Sequence, residues 1–195
     1  MRPRTIRDDE LLDLLLGAFA DLGYDGTSVR ALCRHLGVSH NMVHQRYQSK
    51  QAAWNAAVDH GFTELVASLN EPIDSHDNWE VLRALMTRFA EATLAKPGLA
   101  RIIQMEGALA GPRFTYLMKH HIGPVQARTT AVLEELQADG LAKPGPIDLV
   151  WFFGVAWGVG GLASATRLAD GAGRSDDLRD ATMMLIEVLL EGLHA

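Results

Sequence analysis

Acidic side chains are missing from one stretch of an otherwise acidic chain. Of 195 residues, 24 are Asp or Glu against 18 Lys plus Arg, for a net charge of −6, yet no acid lies between Gly26 and Val58. Cysteine is nearly absent too. Cys33 stands alone, which rules out an internal disulfide, and an inert buried thiol is the expectation for it. No apolar run reaches the ~20 residues that a membrane-spanning helix needs. Met1–Arg7 has three arginines and no apolar core of the kind a secretory leader carries, so the chain is expected in the cytoplasm, with that basic arm as a further candidate contact for DNA. There is no internal repeat, G-x-S-x-G, phosphate-binding loop or complete metal triad, which argues against an enzyme. His120 and His121 are adjacent, so on a helix their rings point about 100° apart. No cofactor is expected.

What the acid-free window holds is a pair of short helices. Val29, Leu32, Cys33 and Leu36 recur at helical spacing behind Thr27, which is placed to cap them. Gly37 ends that helix, and Ser39 is a good cap for a second one with Val43 and Tyr47 on its inner face. The same window carries Arg30, Arg34, Arg46 and Lys50 with His35, His40 and His44. A surface cleared of carboxylates and studded with cations is suited to phosphate, so the pair reads as a helix-turn-helix that binds duplex DNA. In the second helix His40, Asn41 and Met42 lie near the N-terminus, where a groove-bound helix meets base edges. Asn41 suits adenine and Met42 a thymine methyl; His44, Gln45 and Arg46 complete the outer face. His40 and His44 are also one helical turn apart, a spacing that can hold zinc, but DNA contact explains both more simply.

These residues carry a resemblance. From Ile6 to about Val58 the chain resembles the DNA-binding domain of TetR-family transcription regulators, through Gly23, Tyr24, Thr27, Ser28, Val29, Leu32, Gly37, Val38, Ser39, Tyr47, Ser49 and Lys50 at conserved-looking spacing across three helices. The resemblance implies an all-α fold of about nine helices: a DNA-binding domain over residues 1–53, with its motif at 28–47, and a helical regulatory and dimerisation domain over 54–195, entered through a linking helix at 50–70. It implies DNA contacts from Thr27, Arg30, Ser39 and Lys50 beside those of the recognition helix, with Lys50 on a phosphate, Arg30 on bases or phosphate and His44 on the backbone. Asn41 and His44 depart from the family's usual small residue and tyrosine, so the operator preference is this chain's own. A bacterial repressor that leaves a palindromic operator when a small effector binds is the function implied; a fold of this kind with no small ligand is the alternative.

Along the chain, Asp8–Gly23 reads as a helix with Leu12, Leu15, Leu16, Phe19 and Leu22 inward and three acids in its first turn. Lys50–Asn70 has a continuous apolar face, Glu71–Asp77 is a loop, and a stripe from Trp79 to Phe89 starts the helical remainder. Lys96-Pro97-Gly98 ends that helix, a short one runs from Leu99 to Ala110, and Arg113–Gly140 is long, with a kink expected at Pro124. Ile147–Leu168 follows, then a Gly-rich loop at Asp170–Ser175, then Asp176–His194. From Leu149 to Ala165 only Ser164 is polar, so the helix is greasy on nearly every side. Its glycines suit close approach to another helix. With the last helix it forms the expected homodimer interface, at Trp151, Gly154, Trp157, Gly158, Gly161, Met184 and Val188. For the small-molecule effector, the family's pocket implies a lining of Met86, Phe89, Met105, Glu106, Phe114, Met118, His121 and Trp151, with Glu106 and His121 as polar anchors.

Overall fold

A computed structural model describes residues 6–195, with the side chain of His40 outside the description. The described residues form ten helices and no strand; one isolated bridge joins Ala142 to His194. They divide into two compact units, one ending at Glu64 and one spanning Leu65–Ala195.

In the first unit α1 is Asp8–Leu22, α2 Val29–Leu36 and α3 His40–Tyr47; α4, Lys50–Asn70, begins there. Asp8, Asp9 and Glu10 sit in the first turn of α1, where the helix dipole favours acids. Its buried stripe is Leu11, Leu15, Leu16, Ala18 and Phe19; the expected Leu12 is half-buried and Leu22 exposed. Both Leu11 and Leu12 are apolar, so spacing alone left the stripe's rotation open by one residue. Leu32, Cys33, Val43, Trp54, Ala57, Val58 and Phe62 complete this core. Full burial of each leucine contributes about 1.5–3 kcal/mol against exposure.

The second unit adds six helices: α5 Asn78–Ala95, α6 Gly98–Leu109, α7 at 112–138, α8 at 147–163, α9 Thr166–Gly171 and α10 Leu178–Leu193. Trp79, Leu82, Leu85, Met86 and Phe89 are all buried, as their spacing predicts. The Asp77 carboxylate accepts from Trp79 N at 2.8 Å and caps α5. Carbonyls at and just past the end of α4 lack the usual amide four residues on, and arginines bond them. Arg88 donates to Ser68 O and Glu71 O at 2.9 Å, and Arg128 to Leu69 O at 3.0 Å. The chain end is tied down: Lys143 N donates to Leu193 O at 2.9 Å, and the His194 ring stacks on Trp79 at 3.9 Å between centroids.

In α7 a wide π turn at Met118–Ile122 precedes Gly123-Pro124, the place where a kink is expected. Proline has no N–H to donate, and the wide turn lets Gly123 N bond Met118 O instead. The greasy helix stops at Ala163 rather than Leu168, with Gly154–Val159 in π geometry, and the chain turns at Ser164-Ala165 into α9. The glycine-rich loop is therefore shorter than expected, and α10 starts at Leu178 after a single 3-10 turn at Ser175–Asp177.

Candidate nucleic-acid interface

The first unit builds its interface from two capped helices. Ser28, not Thr27, caps α2: its Oγ accepts from Ala31 N at 3.1 Å. Thr27 is buried, and its hydroxyl donates inward to Leu22 O at 3.3 Å, so the contact with DNA expected of it is not available at the surface. Gly37 closes α2 with φ of 64°, the left-handed conformation that a Cβ disfavours, while Val38 N returns to Cys33 O at 3.0 Å. Two residues later Ser39 Oγ accepts from Met42 N at 3.2 Å and starts α3.

Helix α3 is held to the domain by Val43, which is buried, and Tyr47, which is half-buried. Desolvation, together with the nearby Asp8 carboxylate, pushes the Tyr47 phenol above its ordinary value, and Arg46 only partly offsets this. Asn41, His44, Gln45 and Arg46 are left on the exposed side, and Met42 is half-buried beside them. His40 opens the helix on the backbone; the base contact expected of its side chain lies outside the described residues, as do residues 1–5 of the basic arm. Arg30, Arg34 and His35 are exposed along α2. No acid occurs in the first turn of either helix, so no carboxylate on those turns competes for an anion at the helix start.

Two of the expected DNA cations have partners inside the unit. Arg46 donates to Ile6 O at 3.1 Å and pairs with Asp8 at 3.1 Å. Lys50 Nζ donates to Tyr24 O at 2.9 Å and Thr27 O at 2.8 Å and lies 4.0 Å from the centre of the Tyr24 ring. Among the described residues no three His, Cys, Asp or Glu side chains converge as metal ligands, and no helix is long and apolar enough to cross a membrane.

In the second unit the residues expected to line a pocket are divided by environment. Met86, Phe89 and Trp151 are buried core; Met105, Phe114, Met118 and His121 are half-buried. Glu106 is the exception in kind, a carboxylate only 2% exposed. Arg113 Nε donates to its Oε1 at 2.8 Å, a partner that spacing did not identify. Oε2 has no partner among the described residues.

The expected dimer residues separate similarly. Trp151 is buried in its own unit, and Gly154 and Gly158 face Leu189 and Leu185 of the same chain, where a Cβ would come within 3.1 and 3.8 Å. Their close approach is thus made to α10 of the same chain. A Cβ on Gly161 would come within 3.3 Å of the Gln104 amide, and Trp157 is half-buried over Gly107. Met184 and Val188 are exposed at 68% and 58%. Sequence reasoning missed the apolar residues that α8 does expose, Leu149, Val150 and Phe153, because a helix apolar on every side has no pattern to rank its faces.

The geometry defines the class of protein: an all-helical chain whose first unit is built around a helix-turn-helix. Residues 11–62 match the model of the bacterial regulatory proteins, tetR family. Among solved structures the chain is similar to the ketosteroid transcriptional regulator KstR2 of Mycobacterium tuberculosis (20% identity, all of both chains covered, TM-score 0.71). It is also similar to a TetR family transcriptional regulator from Chloroflexus aurantiacus J-10-FL (20% identity, 98% of this chain and 96% of that one, TM-score 0.69). A probable transcriptional regulatory protein, RHA5900, matches at 24% identity over 97% of this chain and 100% of that one, with a TM-score of 0.71. At these identities the likeness shows the fold. No curated protein matches the sequence. Residues 11–62 thus match the tetR-family model, and the whole length of the chain shares the fold of these solved regulators.

Proposed function

We propose that the protein is a bacterial transcriptional repressor acting in the cytoplasm, bound to a palindromic operator as a homodimer and released by a small molecule. The observation that carries the DNA part is the α3 surface: a capped, acid-free helix anchored by Val43 with Asn41, His44 and Gln45 outward. In this reading Asn41, Met42 and His40 meet base edges, while Arg30, Ser39, His44, Gln45 and Arg46 serve the backbone. A two-fold dimer sets two such helices into successive major grooves.

The effector part is supported by Glu106. One oxygen of this buried carboxylate is held by Arg113, and the other is buried with no hydrogen-bond partner among the described residues. A ligand taken up there releases DNA only if it favours the conformation that cannot span the operator. Control by a partner protein instead of a ligand is the competing reading, favoured by the tight burial of Met86, Phe89 and Trp151.

Selection of bound fragments from random duplex DNA tests the main claim. Enrichment of an inverted repeat is expected, and Asn41→Ala should relax the preference at one position in each half-site, by about 1–3 kcal/mol. A pool that remains unenriched would sink it.

A further inference from the structure

Lysine at the start of α4 is the cation that the family resemblance assigns to a phosphate. Its surroundings in this chain are different. The Lys50 ammonium has three N–H donors, and two already bond carbonyls, Tyr24 O at 2.9 Å and Thr27 O at 2.8 Å. The same nitrogen lies 4.0 Å from the centre of the Tyr24 ring, within cation–π range. Tyr24 is fixed in turn, stacked on Phe19 and edge-on to Trp54, and Thr27 N bonds Tyr24 O at 3.2 Å. Both carbonyls belong to the turn between α1 and α2, and Thr27 is followed directly by Ser28, the cap of α2. Lys50 itself stands just beyond the Ser49 cap that starts α4, where Ser49 Oγ accepts from Ala52 N at 3.0 Å. The ammonium therefore joins the first turn of α4 to the entry of α2, across the helix pair that carries the proposed DNA face.

We propose that Lys50 is a positioning residue of the DNA-binding unit and not a phosphate contact: its ammonium clamps the α1–α2 turn to α4 and so sets where α2 and α3 stand. The exposed Arg30 and Arg34 then remain on α2 as the phosphate-binding cations. Two of its three donors are spent on carbonyls and the Tyr24 face lies against the same nitrogen, so a phosphate would have to compete with these contacts.

This rests on the DNA-binding reading, and the two are separable by salt dependence. The full-length dimer is titrated with its selected operator between 50 and 200 mM salt, far below its melting temperature, as wild type, Lys50→Met, Lys50→Arg and Arg34→Gln. Each lost phosphate contact lowers the slope of log affinity against log salt by about 0.9. Lys50→Met should weaken binding at every salt concentration with an unchanged slope, and lower the melting temperature by several degrees; Arg34→Gln should lower the slope and leave the melting temperature alone. Lys50→Arg keeps the charge but places a planar fork where a compact ammonium sat, so it should behave like Lys50→Met. If Lys50→Met is too unstable to titrate, Lys50→Gln, also neutral, supplies the slope. A slope lowered by about 0.9 per protomer in Lys50→Met or Lys50→Gln, or wild-type affinity and melting temperature in any Lys50 variant, overturns the proposal. A wild-type chain that enriches no duplex fails the DNA reading itself and takes the positioning role with it, whatever the melting temperatures.

Discussion

Cys33 faces the interior of the first unit, and burial pushes its thiol above the ordinary value, only partly countered by a backbone hydrogen bond. The folded state holds that proton more tightly than the unfolded state does. Any loss of stability from Cys33 therefore begins only as pH rises past the ordinary thiol value of about 8.5. Native protein at pH 8 should react with a thiol reagent far more slowly than protein in denaturant; equal rates would mean that the α2 stripe is misassigned. Gly123 is the second residue with a consequence of its own. A Cβ there would lie 2.5 Å from Met118 O, a backbone atom that cannot move without disturbing the π turn. Gly123→Ala should cost about 1–3 kcal/mol. Thermal melting would show it as about 2–4 °C for each kcal/mol. An unchanged melting temperature would mean that the turn relaxes to α geometry. The sequence pointed to Pro124, whose missing N–H is visible in its residue type, but the closure of a neighbouring glycine on a carbonyl depends on coordinates.

At the scale of elements, α2 and α3 were legible because their signals are local. Gly37 and Ser39 are read by residue type, and the structure places them at a left-handed cap and at an Oγ bond to Met42 N. The cap of α2 was misjudged by one residue, since Thr27 and Ser28 can both cap and only burial of the Thr27 hydroxyl decides between them. Ser39→Ala should weaken α3 by about 1 kcal/mol. Its measure is hydrogen exchange in α3, which should speed up while exchange in α5 stays the same; unaltered exchange in α3 would show that packing of Val43 holds the helix without the cap. Helix α4 ran to its expected bounds of Lys50 and Asn70 because its apolar face is continuous. Helix α8 was overextended, because nothing in a run of apolar residues and glycines marks the stop at Ala163.

For the whole molecule, charge and apolar exposure are the quantities that matter. The first 53 residues hold seven Lys plus Arg against six acids and the remainder 11 against 18, so the net negative charge is carried by residues after 53. On the second unit, Phe153 at 53% exposure and Val188 at 58% flank the seam where Gly154 meets Leu189. Val188 belongs to the expected dimer interface, and the exposed Phe153 is added to it here as a proposed contact between two copies. Phe153→Glu combined with Val188→Glu should turn the dimer into a folded monomer in sedimentation, with operator affinity lost as the two half-sites uncouple. A double variant that sediments as the wild-type dimer would place the interface elsewhere.

Helix content, the breaks at Gly23, Gly37 and Pro72, and the presence of a carboxylate-free pair of helices were determined by the sequence alone, because propensity, capping and charge act between residues a few positions apart. Tertiary structure decided which of those residues are available. Lys50 and Arg46 read as free cations until carbonyls more than twenty residues away come into reach, at Tyr24, Thr27 and Ile6. Glu106 reads as a polar anchor of an effector pocket, but its bond to Arg113 and its burial are set by the fold. The physical reason is the same in each case: a hydrogen bond or a desolvated charge depends on which distant atoms the fold brings within about 3 Å, and no local pattern encodes that.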